Sequence, residues 1–341
     1  METPFALLTG GSGYIGSYLG RELLEAGWRV RTIGRRSVEL ISSRSTEHQF
    51  VDLSKPVDPK IFEGITHLFH LAGASSTNSS DDEMFVNNVI ATKNLFSAIP
   101  TSQLKSAIYM STTAVYGEKQ PLPQPIEESV TPSPSREYGR TKLQAEQQAI
   151  TISESKNLNL SILRPVSVYG PGNIKLLASA MLDVAIEVFS KTINVLALPA
   201  PVVELRLVHI QDVLDACIHL AILDKTTNKV FNLTSGQYPS SEELARILAS
   251  AFNLEFELSK DPNVGLSLIQ RKEILNSMYQ KGMSNKIVFT DERLRFLRRK
   301  NINNILSIDA IQATGWTPTR TDLMKEIKAT LDWYYVNNWL I

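Results

Sequence analysis

The sequence predicts a doubly wound parallel α/β sheet with helices on both faces, and three observations carry that prediction. Short apolar runs alternate with longer helical patterns as far as Pro165. A glycine cluster, TGGSGYIG at 9–16, stands between the first apolar run and the first helical pattern. Runs such as Leu7–Leu8 and Ile108–Met110 lack polar alternation, as strands covered on both faces do.

In order, Phe5–Leu8 reads as the first strand and Tyr14–Ala26 as a helix ending near Gly27. Val30–Ile33, His48–Val51 and His67–Leu71 read as the next strands. Glu83–Ile99 has amphipathic spacing and stops at Pro100. Ser106–Met110 is a fifth strand, Glu137–Ser155 a long helix, and Leu158–Leu163 a sixth strand stopped at Pro165. The segment 118–135 is rich in Pro, Glu and Ser and long enough to be functional. Beyond Gly172 the pattern loosens. Residues 173–191 look helical, 193–205 apolar and proline-interrupted, 206–222 a strand then a helix, and Lys229–Leu233 one more strand. A helix over 237–252 has Ser240 as its cap, with Glu243 three residues on. Residues 254–301 give no clear pattern, and 321–339 is helical and aromatic-rich. The expected division is a dinucleotide-binding domain over 1–168, completed by parts of 206–235. A smaller mixed lobe over 169–205 and 236–341 is left to bind substrate.

A chain of 341 residues can bury a large core in one domain or two lobes. Lys plus Arg and Asp plus Glu number 35 each, so composition gives no reason to expect nucleic acid or an anionic membrane as partner. The one cysteine, Cys217, lies on an apolar helical stretch and reads as a packing thiol in a reducing compartment. No long uncharged apolar run suggests a membrane span, and no basic-then-apolar start suggests a leader, so the cytoplasm is expected.

The glycine cluster has a physical task. A strand must turn sharply into a helix while its backbone N–H groups stay open. Gly10 and Gly11 permit the turn, Gly13 lets a phosphate approach the backbone, and Gly16 lets the helix pack on the sheet. The helix N-terminus then presents unpaired donors to a pyrophosphate, which makes this a dinucleotide site on a Rossmann-type sheet. An acidic residue closing the second strand would bind the ribose of NAD. Here, in VRTIGRRS, that place falls on Gly34, followed by Arg35 and Arg36. Two guanidinium groups attract a 2′-phosphate, so NADP is the leading expectation, with NAD the alternative if they only solvate a loop. Asp52, in FVDLS, suits the adenine amino group.

In YGRTK, Tyr138 and Lys142 are four apart on one helix face. A phenol near pKa ~10 is a poor base, and a neighbouring ammonium is expected to lower it, so that the pair can move a proton to or from an oxygen. In YMSTTAVYG, residues 109–117, Ser111, Thr112 and Thr113 set hydroxyls at a strand end, where parallel sheets place ligands. His209 and Asp212 are too few for a metal, and none is expected. The basic stretch around 293–299 reads as a solvated helix face or a contact to substrate phosphates. Trp316, Trp333 and Trp339 read as packing anchors.

With these pieces go HLAG at 70–73, NNVIATKNL at 87–95, RPVSVYGPG at 164–172, RLVHIQDV at 206–213 and GWTPTRTDLMKEIKATLDWY at 315–334. Together they resemble the extended short-chain dehydrogenase/reductase family, within its NAD-dependent epimerase/dehydratase group. The resemblance implies that Thr112 orients the substrate oxygen, Tyr138 is the acid/base, and Lys142 its partner and ribose ligand. It implies a dinucleotide held by Gly10, Gly13, Tyr14, Ile15, Gly16, Arg35, Arg36, Asp52, Leu53, Leu71, Ala72, Gly73, Asn88, Lys142 and Pro165. Substrate contacts would fall on Thr113, Ser167 and Arg206, with a nucleotide-sugar as substrate. It also implies a homodimer built on the helices at 83–99 and 137–155. Ser167 stands where epimerases of this group usually carry asparagine, and NVLALPAPVVEL replaces their glycine-rich segment. The Asp-Glu pair of 4,6-dehydratases is replaced by Thr113-Ala114, which argues against elimination chemistry. The leading expectation is a sugar-nucleotide epimerase acting by transient hydride abstraction and return. The alternative is an NADPH-dependent reductase of a ketone or 4-keto-sugar, or the reverse dehydrogenase. A non-catalytic dinucleotide-binding protein is the reading from another class.

Overall fold

The computed structural model describes residues 3–37, 46–75, 79–101, 104–117, 122–191, 194–223, 229–261, 264–298 and 305–341. Strand β1 (Phe5–Thr9) turns into α1 (Tyr14–Glu25), and β2 (Arg29–Gly34) and β3 (Thr46–Phe50) follow. Next come β4 (His67–His70), α2 (Asp81–Met84), a π-helical turn (Phe85–Ile90) and α3 (Ala91–Ala98). Strand β5 (Ser106–Met110) ends in a 3-10 turn (Thr113–Tyr116), before α4 (Glu137–Lys156) and β6 (Leu160–Pro165). Then come β7 (Ser167–Tyr169), α5 (Leu177–Phe189), β8 (Val195–Pro199), β9 (Leu207–His209), α6 (Ile210–Ile222) and β10 (Lys229–Leu233). The chain closes with α7 (Ser241–Ala251), β11 (Glu255–Ser259), α8 (Leu268–Gln280), α9 (Asp309–Gln312) and α10 (Leu323–Val336).

Two compact units result. The first comprises Met1–Val166, Asp212–Leu233 and Leu306–Thr317. Its seven-stranded sheet runs β10-β6-β5-β4-β1-β2-β3, parallel throughout, as the alternation of runs predicts. Strand order reverses between β1 and β4, and the glycine turn leaves β1 at that point. In such sheets this is where ligands bind. On one face Phe62, Leu95, Phe96, Tyr109 and Leu160 form a buried core. Lys156, at the end of α4, donates to the carbonyls of Phe96, Ser97 and Ile99 at 3.2, 2.7 and 2.5 Å. It thereby satisfies the open C-terminus of α3 and fastens the two helices together.

A directed chain of hydrogen bonds crosses the sheet. Thr9 Oγ1 accepts from the N–H groups of Leu71 and Ala72 at 3.1 and 3.0 Å, so its proton goes to His70 Nδ1 at 2.7 Å. Thr92 gives its proton to the Asn88 carbonyl at 2.6 Å and so receives His70 Nε2–H at 2.9 Å. Each link fixes the next, and His70 is the neutral Nε2–H tautomer. Burial and the Lys142 charge push its pKa down to about 3. The Asn88 carbonyl that ends this chain lies in the π-helical turn, one turn before Thr92.

The second unit comprises Ser167–Gln211, Thr234–Ile305 and Pro318–Ile341. It holds two parallel strand pairs, β11–β8 and β7–β9, and an apolar core drawn from α5, α7, α8 and α10. Trp333 and Trp339 pack edge to face in it, 4.9 Å apart, whereas Trp316 is buried in the first unit. Helix α5 carries two buried carboxylates in an otherwise apolar sequence. Asp183 pairs with Arg271 and accepts the Leu294 N–H at 2.7 Å. Glu187 pairs with Arg293 Nη2 at 2.7 Å, while Arg293 Nη1 donates to the Ala197 carbonyl at 2.8 Å.

The structure corrects several sequence expectations. Arg293 is neither a solvated residue nor a phosphate ligand; its guanidinium is consumed by Glu187. Arg299, from the same basic stretch, lies outside the described residues, as do 118–121 of the proline-rich segment. The helix expected from Glu83 begins two residues earlier, where a Ser80–Glu83 capping box satisfies its first donors, and it is broken by the π turn. Strand β3 runs from Thr46 to Phe50 rather than His48 to Val51, so Asp52 lies beyond the strand in the segment that follows it. Residues 254–301 contain a strand and a full helix. At α7 the expected cap forms, with the Glu243 N–H donating to Ser240 Oγ at 3.0 Å.

The buried histidines make stability pH-dependent. His70 is held near 3 and His67 near 4, both chiefly by burial, against 6.5 in the unfolded chain. As pH falls below 6.5 the unfolded chain takes up these protons first, so stability is lost on acidification and retained above that value. Urea unfolding at pH 5 should give a free energy lower than at pH 7 by about 2 kcal/mol for each histidine. Unchanged stability across that window would contradict the neutral state and burial of these histidines.

Candidate active site

The turn after β1 is a cradle that side chains would fill. Gly10 has φ +73, and a Cβ there would lie 2.7 Å from the Ala72 backbone nitrogen. A Cβ on Gly16 would overlap the Gly10 carbonyl oxygen, and one on Gly13 would come within 3.1 Å of it. Gly13 caps α1 with no side-chain hydrogen bond, and no acidic residue stands in the first turn. The start of this helix, around Ile15 and Gly16, therefore turns the positive end of its dipole toward an anion. Leu71 and Ala72 border the turn, held by Thr9. This geometry fits the pyrophosphate of a dinucleotide.

Along the β1–β2 side, Asp52 Oδ1 accepts from the Ser54 N–H and hydroxyl at 3.1 and 2.7 Å. Those bonds hold its carboxyl below the usual range and fix its orientation. Leu53 is buried beside it, with its carbonyl held by Asn94 Nδ2 at 3.0 Å. Gly34 ends β2, and a Cβ there would meet open space. Arg35 and Arg36 follow as exposed residues.

Three side chains converge at the ends of β5 and α4. Thr112 caps the 3-10 turn, its Oγ1 accepting from the Ala114 N–H at 3.2 Å. Thr112 also lies close enough to the Tyr138 phenol to draw its pKa down in part. One turn along α4, Lys142 is buried with Nζ donating to the Met110 carbonyl at 2.6 Å and standing 4.3 Å from the Tyr109 ring centre. Burial pulls its pKa down to about 7, against the pull of Glu146. The expected lowering of Tyr138 by this lysine is not what the protein exhibits. Burial raises the phenol and the Thr112 hydrogen bond only partly offsets it, because the ammonium is itself desolvated and committed to Met110. As folded, Tyr138 is a neutral phenol and thus a proton donor.

Asn88 supports this end of the site. Its Oδ1 accepts the Ala74 N–H at 2.7 Å, and its Nδ2 donates to the Ala74 carbonyl at 3.1 Å and to Thr141 Oγ1 at 3.0 Å. A Cβ on Gly73 would press on Asn88 Oδ1 at 2.9 Å and disturb its hold on Ala74. Pro165 ends β6, and its carbonyl accepts weakly from Thr113 Oγ1 at 3.4 Å. Ser167 and Arg206 belong to the second unit, Ser167 on β7 opposite Leu207 and Arg206 just before β9. Among the described residues no cluster of three or more His, Cys, Asp or Glu is placed to hold a metal.

Sequence reasoning missed the ring of polar residues behind the trio. Arg164 forms a two-pronged pair with Glu146, at 3.0 and 2.6 Å, and donates to the Tyr116 hydroxyl at 2.9 Å. Tyr116 in turn donates to Asn232 Oδ1 at 2.8 Å. One signal was available: Glu146 follows Lys142 by four residues, on the same helix face.

The chain was compared with known proteins. The model of the NAD dependent epimerase/dehydratase family matches residues 6–234. UDP-glucose 4-epimerase from Yersinia pestis is 31% identical over 192 residues, 49% of this chain and 55% of that protein. The chain therefore spans about half the length of this curated relative. The structure of UDP-glucuronic acid 4-epimerase from Bacillus cereus, in complex with UDP-glucuronic acid and NAD, superimposes with a TM-score of 0.72 at 18% identity, covering 98% of this chain and 99% of that one. The structure of RMD from Pseudomonas aeruginosa, complexed with NADPH, gives 0.67 at 20% identity and 98% of each chain. At such identities the two structures share the fold with this chain.

Replacement of Gly10 by alanine tests the cradle. The substitution combines positive φ with a backbone clash, and should cost about 1–3 kcal/mol of stability and weaken binding of NADH and NADPH alike. Urea unfolding and fluorescence titration measure the two effects. Wild-type affinity for both nucleotides would remove the turn from the binding site.

Proposed function

Because the chain belongs to the NAD dependent epimerase/dehydratase family, we propose that it is a nicotinamide-dinucleotide-dependent enzyme that epimerises a sugar-nucleotide. The observation that carries this reading is the set Thr112, Tyr138 and Lys142, gathered at the carboxyl end of a parallel sheet beside a glycine cradle. A purely binding module has no use for a proton-transfer pair. The UDP-sugar epimerases among the relatives support the substrate class.

A dinucleotide bound in the cradle supplies a hydride acceptor and donor. The remaining work falls to the chain. Thr112 holds the reacting oxygen of the sugar in line with the Tyr138 phenol. Once its own proton has been lost, Tyr138, as a phenolate stabilised by the Lys142 ammonium, takes the proton from that oxygen as the carbon is oxidised, and as the neutral phenol returns it when the carbon is reduced on its other face. Lys142, poised near neutrality, settles the charge state of this pair and holds the nicotinamide ribose. Asn88 fixes Ala74 and Thr141 around them. The second unit, with Ser167 and Arg206, is assigned the substrate.

A second reading is an NADPH-dependent reductase of a ketone or keto-sugar. Two observations favour it: no carboxylate closes β2 ahead of Arg35 and Arg36, and Tyr138 is a neutral phenol suited to protonating a carbonyl oxygen. Phe85 and Val86, 42% and 37% exposed, lie on the helices expected to pair two copies and support a homodimer. Cys217 is buried, and no described helix is long and apolar enough to cross a membrane; a cytoplasmic enzyme accommodates both.

Mass analysis of dinucleotide released by denaturation separates the readings. Near-stoichiometric NAD supports the epimerase; an empty protein preferring NADPH supports the reductase. In the assay that follows, interconversion of UDP-glucose and UDP-galactose or reduction of a keto-sugar, Tyr138→Phe should cut turnover about 10²–10⁴-fold with circular dichroism unchanged. Full turnover by this variant would leave the non-catalytic reading standing.

A further inference from the structure

The position of the Arg35 guanidinium is set by a neighbour that neither the glycine motif nor the proton-transfer trio includes. Arg35 Nη2 donates to Asn87 Oδ1 at 3.2 Å, across 52 positions of sequence. The Asn87 amide is itself oriented, because its Nδ2 donates to the Glu83 carbonyl at 2.7 Å, one turn back. Its oxygen must then face the arginine. Asn87 lies in the π-helical turn, directly before Asn88. The two asparagines divide the turn between them, one addressing the end of β2 and the other addressing Ala74 and Thr141. A neutral amide anchors one nitrogen of the guanidinium and cancels none of its charge. The remaining donors keep the planar fork that suits a phosphate. Asp52, at the expected adenine position, feels the Arg35 charge, which puts the guanidinium at the adenosine end of the cradle.

We propose that Asn87 is a positioning residue that holds Arg35 to receive the 2′-phosphate of NADP(H), and so sets the choice between the two dinucleotides. This rests on the assignment of Arg35 to that phosphate. An untethered arginine would have to be ordered on binding, at an entropic cost that the tether removes in advance. The effect should therefore fall on the phosphorylated nucleotide alone.

The test uses the full chain, titrated with NADPH, NADH and adenosine 2′,5′-bisphosphate, followed by fluorescence and calorimetry. Asn87→Ala should weaken NADPH and the bisphosphate by about three- to tenfold, the worth of one hydrogen bond, and leave NADH unchanged. Asn87→Asp, which sets a carboxylate against the guanidinium, should weaken NADPH further, again without touching NADH. Equal weakening of NADPH and NADH would make Asn87 a structural residue of the π turn and overturn the proposal. No change with Asn87→Ala, while Arg35→Ala loses selectivity, would overturn it and leave Arg35 as the phosphate reader. If Arg35→Ala also leaves selectivity intact, the assignment of Arg35 fails and the role of Asn87 fails with it.

Discussion

The Glu146 carboxylate and the Arg164 guanidinium meet in the buried interior of the first unit, both almost wholly removed from solvent. The rest of the site depends on that contact. Glu146 lies one turn beyond Lys142 on α4, and Arg164 directly precedes Pro165 at the end of β6. Through Tyr116 the same guanidinium reaches the 3-10 turn that Thr112 caps, and through Asn232 it reaches β10. The Asn232 N–H is held in turn by Glu128 at 2.7 Å. Loss of either charge would strand the other in a low-dielectric interior, at a cost of about 3–5 kcal/mol. It would also free the three elements that set the distances among threonine, tyrosine and lysine. The ion pair therefore matters less as a source of net stability than as a fixed corner from which the site is measured.

The sheet was legible in the sequence because its strands are buried on both faces and bounded by turn residues. Runs such as FALLT and SAIYM have few alternatives. The glycine turn and the Tyr138–Lys142 spacing were legible because their chemistry restricts residue type. What could not be read has physical causes too. A π turn leaves no mark on apolar periodicity over six residues, so the segment from Glu83 to Ile99 reads as one helix. Strand β7 has only three residues, β8 is followed by prolines, and β11 (EFELS) is largely exposed with acidic residues between its apolar ones, so none of these stood out as a strand. The charge on Arg293 looked like a surface feature because its partner, Glu187, is 106 positions away. The better clue was the reverse one: Asp183 and Glu187, four apart in an apolar helix, each needed a cation.

The ionisation of the trio is the clearest case in which spacing misleads. Two residues four apart on a helix do not guarantee that one charge serves the other. Here burial acts on both groups and drives each toward its neutral form. The oriented chain from Thr9 through His70 and Thr92 to Asn88 follows the same logic. It keeps a histidine uncharged beneath the site, so that no fixed positive charge competes with Lys142 there.

The π-helical turn also works as a frame. It contains the equivalent of one residue more than an α-helix of the same rise, and loss of one residue between Phe85 and Ile90 would let the segment relax to regular α-helix. What precedes the deletion would keep its phase against Thr92 and α3, because the wide turn already absorbs the extra residue, but the local widening that spreads Asn87 and Asn88 apart would be lost. The asparagine pair would lose its division of labour between the end of β2 and the Ala74–Thr141 side. Among natural variants of this chain, insertions and deletions should thus be better tolerated in the loops on either side of this helix than within it. A sequence one residue shorter in this window would need a different way to seat both ends of its dinucleotide.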